Sequence, residues 1–260
     1  MGRTVFAALC PHAPVLMEEI GGRSQRRVQK TVQALNTLQE RFAATRPDTV
    51  IVFSPHLRRT LEPVVLAETI LEGHFGDFRH PDLSYSFEAD TTFVQSLLSR
   101  VPLTQVYGSL DYATLVPLHF LCQGFSPKLV SLGITVPTQK QAQQLGESIA
   151  ETIRDQGGDF ALIASGDLSH RLFSHAPGGY HPDGPKFDEL FLDLLSRGDV
   201  DGLWCLDEPL VRNAGQCALG PVWVLLACLR ELFCRGEVLS YEGPFGVGYG
   251  VVDFLLKGGP

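Results

Sequence analysis

The chain has 260 residues and a mass of 28.5 kDa, with 44% hydrophobic and 19% charged residues. This ordinary globular balance excludes a disordered or fibrous chain, and the length suffices for the large core of one α/β domain. The formal net charge of -8 argues against nucleic acid or an anionic membrane surface as the main partner.

No targeting or membrane segment is expected. The apolar run near the N-terminus is too short for a secretory signal and is followed by Pro11-His12, and no stretch approaches the ~20 apolar residues of a membrane span. The cysteines lack CxxC spacing, which predicts reduced thiols rather than disulfides or a zinc ribbon. We therefore expect a cytoplasmic protein.

Strand and helix patterns alternate along the chain. Val5–Leu9 predicts a buried strand, Ser24–Ala44 a helix with Ser24 as its N-cap, and Thr49–Phe53 a strand covered on both faces. The later predicted elements are strand Leu129–Val136, helix Gln139–Arg154, strand Phe160–Ala164, helices Phe187–Leu195 and Val222–Phe233, and strands Val238–Tyr241 and Gly250–Leu256. This alternation predicts one α/β domain over residues 1–260, a three-layer sandwich whose mostly parallel or mixed sheet has helices on both faces.

Two stretches are predicted to be irregular, His74–Ser86 and Ser174–Pro185. Long loops in compact domains commonly serve a site, so both are candidates for active-site covers. Four histidines lie in them and are expected to be solvated or at a cleft rim: His74, His80, His175 and His181.

Histidines follow three of the predicted strands. His12 and His56 each come after a proline at a strand end, and His170 closes the run Ser165–His170. Ligands of open α/β sheets bind beyond the carboxyl ends of the strands, so we expect these histidines to converge. A single histidine in such a place is more often a surface or capping residue. Two Pro-His pairs are more specific, because proline holds the backbone rigid beside the imidazole, and imidazole is the commonest metal ligand.

The order of these motifs resembles the class III extradiol ring-cleavage dioxygenases of the protocatechuate dioxygenase beta-subunit type. It resembles more narrowly their Memo-like branch, which occurs in the AmmeMemoRadiSam system. The motifs in chain order are PHAP from Pro11, SPH from Ser54, DYATLVPL from Asp111, SGDLSH from Ser165, NAGQC from Asn213 and YEGPFGVGY from Tyr241.

The resemblance implies an iron(II) site with His12 and His56 as ligands, and His170 as the acid/base or substrate-binding histidine with Asp167 nearby. Tyr112 stands where the ring-cleaving enzymes have the histidine of Asp-His-Gly, and it joins His170 and Asp167 as a candidate catalytic residue. His119, on a predicted helix, is not an obvious substitute for that histidine.

The third ligand also departs from the dioxygenase pattern. Where these enzymes place a glutamate, the chain has Cys217, as the Memo-like proteins have a cysteine. A thiolate is a softer ligand and favours zinc or copper beside iron(II). Glu242 is the alternative ligand, or else a structural residue opening a glycine-rich turn; we favour Cys217.

Two functions stay open. One is a non-haem iron(II) dioxygenase that opens a catechol-type ring with O₂; the other is a Memo-like metal- or ligand-binding protein without ring cleavage, which Tyr112 and Cys217 favour. The expected partners are a small catechol-like aromatic and O₂, without nucleic acid or membrane, and assembly into a homo-oligomer is left open.

Overall fold

The computed structural model describes residues 1–58, 60, 62–135 and 137–257. The strands are β1 (Arg3–Cys10), β2 (Thr49–Ser54), β3 (Val64–Leu66), β4 (Ile70–Phe75), β5 (His80–Glu88), β6 (Thr104–Val106), β7 (Lys128–Gly133), β8 (Asp159–Ser165), β9 (Phe233–Glu242) and β10 (Tyr249–Leu256). The α-helices are α1 (Glu18–Gly21), α2 (Gln29–Thr45), α3 (Thr91–Leu98), α4 (Tyr112–Leu121), α5 (Gln139–Gln156), α6 (Asp183–Arg197), α7 (Val200–Trp204), α8 (Glu208–Ala214) and α9 (Leu219–Cys228). Short 3₁₀ helices span Pro14–Leu16, Gly22–Val28 and Gly76–Phe78.

Eight of the strands form one mixed sheet in the order β6-β3-β7-β2-β8-β1-β10-β9. The four central strands, β7, β2, β8 and β1, are parallel to one another, whereas β10 and β9 complete one side as antiparallel strands. On the other side β3 is antiparallel to β7 and parallel to β6. The predicted mixed sheet is confirmed.

Both faces of this sheet are covered by helices. Alternate residues of β2 belong to different cores: Ile51 and Phe53 pack on the side of α3, α5, α6 and α9, whereas Val50 and Val52 pack on the side of α2 and α4. Period-two alternation with apolar residues on both faces explains the uninterrupted apolar runs of the central strands. The three-layer sandwich predicted from the sequence is confirmed.

Helix α2 begins later than predicted. Ser24 lies in the 3₁₀ helix Gly22–Val28 and does not cap α2, which starts at Gln29. The first turn of α2 is instead held by Glu242, whose Oε1 accepts hydrogen bonds from the backbone N–H and the hydroxyl of Thr31 at 2.8 and 2.7 Å. The carboxylate of Glu242, from the distant strand β9, therefore takes the N-terminal capping role that was predicted for Ser24.

Other predicted boundaries differ as well: α6 begins at Asp183 rather than Phe187, and β9 begins at Phe233 rather than Val238. The helix predicted over Val222–Phe233 is the shorter α9, because Phe233 already pairs with Leu256 at the start of β9. Strand β7 ends at Gly133, and Val136, the last residue of the predicted strand, lies outside the described residues.

The stretch His74–Ser86 was wrongly predicted to be irregular. It contains the end of β4, a 3₁₀ turn and most of β5, which pair antiparallel as a separate two-stranded sheet. Both strands are largely polar on their exposed side, so the alternation of apolar and polar residues that identifies a strand is hard to recognise in their sequence. Ser174–Pro185 is irregular up to the start of α6 at Asp183. All six cysteines are free, and no helix within the described ranges is long and apolar enough to cross a membrane.

Candidate metal centre

Three neighbouring strands deliver the central side chains. Each lies two residues beyond the end of its strand: His56 follows β2, Asp167 follows β8 and His12 follows β1. The strands are in register at this edge, because Ala164 of β8 pairs with Phe53 on one side and with Leu9 on the other. The expected convergence at the carboxyl ends of the parallel strands follows from this register.

Backbone hydrogen bonds extend the β1–β8 pairing into the site. The N–H of Gly166 donates to the carbonyl of Cys10 at 3.0 Å, and the N–H of His12 donates to Oδ1 of Asp167 at 3.0 Å. His12 is only 2% exposed, so its ring is held in one place by its surroundings. Asp167 is thus tied to His12 through the main chain.

Cys217 reaches the same place from the turn between α8 and α9. This turn packs closely on β8, since a Cβ on Gly166 would lie 2.4 Å from the Cα of Ala218. The N–H of Cys217 donates to the carbonyl of Asp167 at 3.1 Å, and the N–H of Asp167 donates to Sγ of Cys217 at 3.3 Å. These two bonds hold the sulfur 3.6 Å from Nε2 of His12.

The result is a group of three potential metal ligands. One ring nitrogen each of His12 and His56 and the sulfur of Cys217 all lie within 4.8 Å of one another. Two imidazoles and a thiolate suit zinc, copper or iron, so the donor set fits a divalent transition metal. Glu242, the alternative ligand, is engaged by Thr31 at the start of α2 instead.

Burial sets the protonation states of this group. It lowers the pKa of His12 to about 3, against the opposing charge of Asp111, so the imidazole is neutral and able to ligate. Burial raises the pKa of Asp167 to about 6 and, with the charge of Asp167, raises the pKa of the Cys217 thiol. A cation bound beside the sulfur reverses the latter shift, because it stabilises the thiolate.

His170 lies beside the three potential ligands and is not part of their group. Its backbone N–H donates to the carbonyl of Ala214 at 3.1 Å. Burial lowers the pKa of its imidazole, Asp167 opposes this shift, and His56 adds to it. His170 is therefore close enough to Asp167 and His56 for their charges to act on its imidazole.

Tyr112 forms an aromatic wall with a residue that the sequence did not single out. The Tyr112 ring stacks on His56 with a centroid distance of 5.5 Å and an interplanar angle of 25°. Phe78, from the 3₁₀ turn between β4 and β5, packs edge-on against Tyr112 at 5.4 Å. Because its turn belongs to a stretch predicted to be irregular, no sequence pattern pointed to Phe78.

Asp111 connects the start of α4, which carries Tyr112, to the backbone of His56 through Ser54. Its Oδ1 accepts from the N–H of Thr114 and so caps α4, while its Oδ2 accepts from the hydroxyl of Ser54 at 2.5 Å. The Ser54 oxygen in turn accepts from the N–H of His56 at 3.2 Å. An aspartate directly before a helix is a signal for an N-cap, but its bond to Ser54 is not visible in the sequence. His119 lies outside the ligand group and contacts the Tyr85 hydroxyl through Nδ1 at 2.6 Å.

Comparison with known proteins gives one family and several relatives. A family model described as the catalytic LigB subunit of aromatic ring-opening dioxygenase matches residues 6–252. Protein CA_C1420 of Clostridium acetobutylicum is 32% identical over 261 aligned residues, which cover 94% of this chain and 56% of that protein. The chain therefore spans little more than half the length of this relative.

Two further relatives differ in their named function. A MEMO1 family protein of Methanosarcina acetivorans is 25% identical over 243 residues, covering 92% of this chain and 79% of the relative. The 3,4-dihydroxyphenylacetate 2,3-dioxygenase of Escherichia coli is 25% identical over 187 residues, covering 66% of this chain and 68% of the enzyme. Among solved structures, the uncharacterized protein JW3007 of Escherichia coli K12 superposes with a TM-score of 0.61 at 14% identity over 96% of this chain and 99% of that one, which shows the shared fold.

Proposed function

The chain belongs to the LigB family of the class III extradiol dioxygenase superfamily, on its Memo-like branch, and from this premise we propose that it is a metal-dependent dioxygenase. We assign His12, His56 and Cys217 as ligands of one divalent ion, iron(II), with zinc or copper as ions that the same donors accept. The proposed reaction opens a catechol-type ring with O₂. The observation that carries the proposal is the grouping of these three donors beyond the carboxyl ends of the central strands.

Bound iron(II) would supply a Lewis acid that gathers the diol and O₂ at one place. The protein residues supply the proton transfers and the positioning. His170 holds or accepts a proton on its imidazole beside the buried Asp167, whose pKa is raised to about 6. The lowered pKa of His170 and the raised pKa of Asp167 approach each other, so the two groups can exchange a proton without a large cost.

The aromatic wall would position the substrate ring. Tyr112 lies next to His56, and Phe78 supports it from the β4–β5 turn. A flat aromatic ring gains offset or edge-on contacts against such a surface, which orients its hydroxyls toward the ligand group. We assign Tyr112 to the contact with the substrate ring.

The experiment that tests this function uses anaerobic loading with Fe(II). The loaded protein is mixed with 3,4-dihydroxyphenylacetate, the compound in the name of the Escherichia coli relative, or with catechol, and air is then admitted. We expect a yellow ring-opened product with one O₂ consumed per ring, and none from a His12→Ala/His56→Ala variant. Metal-loaded protein that consumes no O₂ with any catechol would contradict ring cleavage.

A second candidate function is supported by specific residues. Tyr112 occupies the place of the histidine that the resemblance assigns to the ring-cleaving enzymes, and Cys217 occupies the place of their glutamate ligand. Both favour a Memo-like metal- or ligand-binding protein that retains the site and lacks ring opening. In the same experiment, that protein binds the metal and leaves O₂ and catechol unchanged.

A further inference from the structure

We propose that Ser165 is a positioning residue that fixes which ring nitrogen of His12 carries hydrogen, and that Pro117 enables it to do so by leaving the carbonyl of Ala113 free. The inference rests on the proposed metal site, since its consequence is that Nε2 of His12 presents a lone pair to the ion. Four residues take part in this chain of bonds: His12 just beyond β1, Ser165 at the end of β8, and Ala113 and Pro117 in α4.

The direction of the bonds follows from counting hydrogens. The hydroxyl oxygen of Ser165 lies 2.6 Å from the carbonyl oxygen of Ala113 and 2.9 Å from Nδ1 of His12. A carbonyl can only accept, so the single hydroxyl hydrogen of Ser165 goes to Ala113. The Ser165 oxygen must therefore accept from His12, and Nδ1 carries the hydrogen.

Pro117 explains why the Ala113 carbonyl is available. In an α-helix the carbonyl of residue 113 would accept from the N–H of residue 117, and proline has no N–H. Pro117 lies inside α4, and both Ala113 and Ser165 are 0% exposed. A buried carbonyl without a partner is costly, so the Ser165 hydroxyl satisfies a group that the helix itself cannot.

The other ring nitrogen of His12, Nε2, lies near a carboxylate that favours the opposite tautomer. Nε2 of His12 lies 3.6 Å from Oδ2 of Asp167 and 3.6 Å from Sγ of Cys217. The carboxylate alone would favour hydrogen on Nε2, which would occupy the lone pair that a metal needs. The Ser165 bond at Nδ1 opposes this preference. In metal sites, a hydrogen-bond acceptor at one ring nitrogen of a histidine keeps the other nitrogen unprotonated for the metal.

The first test reads the tautomer without metal. In metal-free protein labelled with ¹⁵N-histidine, His12 should show a protonated Nδ1 and an unprotonated Nε2, with assignment by comparison with His12→Asn. In Ser165→Ala the pattern should reverse toward hydrogen on Nε2. The matched control is Ser131→Ala, which removes another serine hydroxyl that is 0% exposed and lies 3.3 Å from Thr114 Oγ1 of α4; it should leave the His12 signals unchanged.

The second test measures metal affinity by competition with a chelator, using Zn(II) as the probe. Ser165→Ala should bind Zn(II) about 10- to 100-fold more weakly than wild type, whereas Ser131→Ala should bind it equally well. A Ser165→Ala protein with wild-type tautomer and affinity overturns the inference. If wild type binds no metal but the tautomer reverses as expected, the proposed function fails while the role of Ser165 in the tautomer stands.

A third variant leaves Ser165 in place, so the inference stays testable even if Ser165→Ala fails to fold. Pro117→Ala supplies an N–H that competes for the Ala113 carbonyl, which should shift the His12 tautomer in the same direction by a smaller amount. His12 signals identical to wild type in Pro117→Ala would overturn the role assigned to the proline.

Discussion

The sulfur of Cys217 lies 3.6 Å from Nε2 of His12, although 205 residues separate the two in the chain. The contact depends on the turn after α8 packing against Gly166, and on two reciprocal bonds between Cys217 and Asp167. The third donor of the site is thus placed by backbone contacts at the end of β8, independently of any ion.

Replacing Cys217 should remove a sulfur ligand. Co(II) bound to the wild-type protein should show a thiolate-to-metal charge-transfer band in the near ultraviolet, and Cys217→Ser should lose it. Cys205→Ser, which changes an exposed cysteine, is the control and should keep the band. A band that persists in Cys217→Ser would assign the third position to another group.

Glu242 should prove to be structural. Glu242→Ala removes the acceptor of both Thr31 bonds at the start of α2, so the free energy of unfolding should fall by about 1 kcal/mol. Metal content measured by elemental analysis should be the same as in wild type. Loss of the metal from this variant would show that Glu242 ligates.

His170 should be dispensable for the metal and needed for turnover. His170→Ala should keep its metal and lose about 10²–10⁴-fold in rate, the usual cost of removing a positioned acid or base. The control His175→Ala changes an exposed histidine of the following loop and should have wild-type rates. If His170→Ala loses metal together with activity, His170 is a ligand and the assigned role is wrong.

Asp188 should make stability depend on pH. This residue of α6 is 1% exposed and accepts from the N–H of Ser169 and the hydroxyl of Tyr241, and burial raises its pKa to about 6 from 3.8. The folded protein therefore keeps this proton between about pH 4 and pH 6 while the unfolded chain releases it, so the contribution of Asp188 to stability falls as pH rises.

Asp188→Asn does not titrate at this position and should escape that loss. Its free energy of unfolding relative to wild type should rise by about 2 kcal/mol between pH 4 and pH 7, as measured by urea denaturation. Other titrating groups are common to both proteins and cancel in the difference. A difference that is constant across this range would contradict the raised pKa.

The sequence predicted the sheet and the strand-end histidines because these depend on local patterns. The runs at β1, β2 and β8 are continuous and apolar, and the residues just beyond them share one edge by topology. Contacts between distant segments could not be read in this way. Examples are the Thr31–Glu242 cap, 211 residues apart, and the Ser165 bond to Ala113, which requires knowing that α4 packs over the end of β8.

The most direct test of the account is the metal content of a His12→Ala/His56→Ala variant, measured by elemental analysis after anaerobic loading with Fe(II). The matched control is His74→Ala/His80→Ala, which changes two histidines of the β4–β5 hairpin outside the ligand group. We expect about one ion per chain in wild type and control, and a loss of stoichiometric metal in a folded His12/His56 variant. Unchanged metal content in that variant would contradict the assigned site.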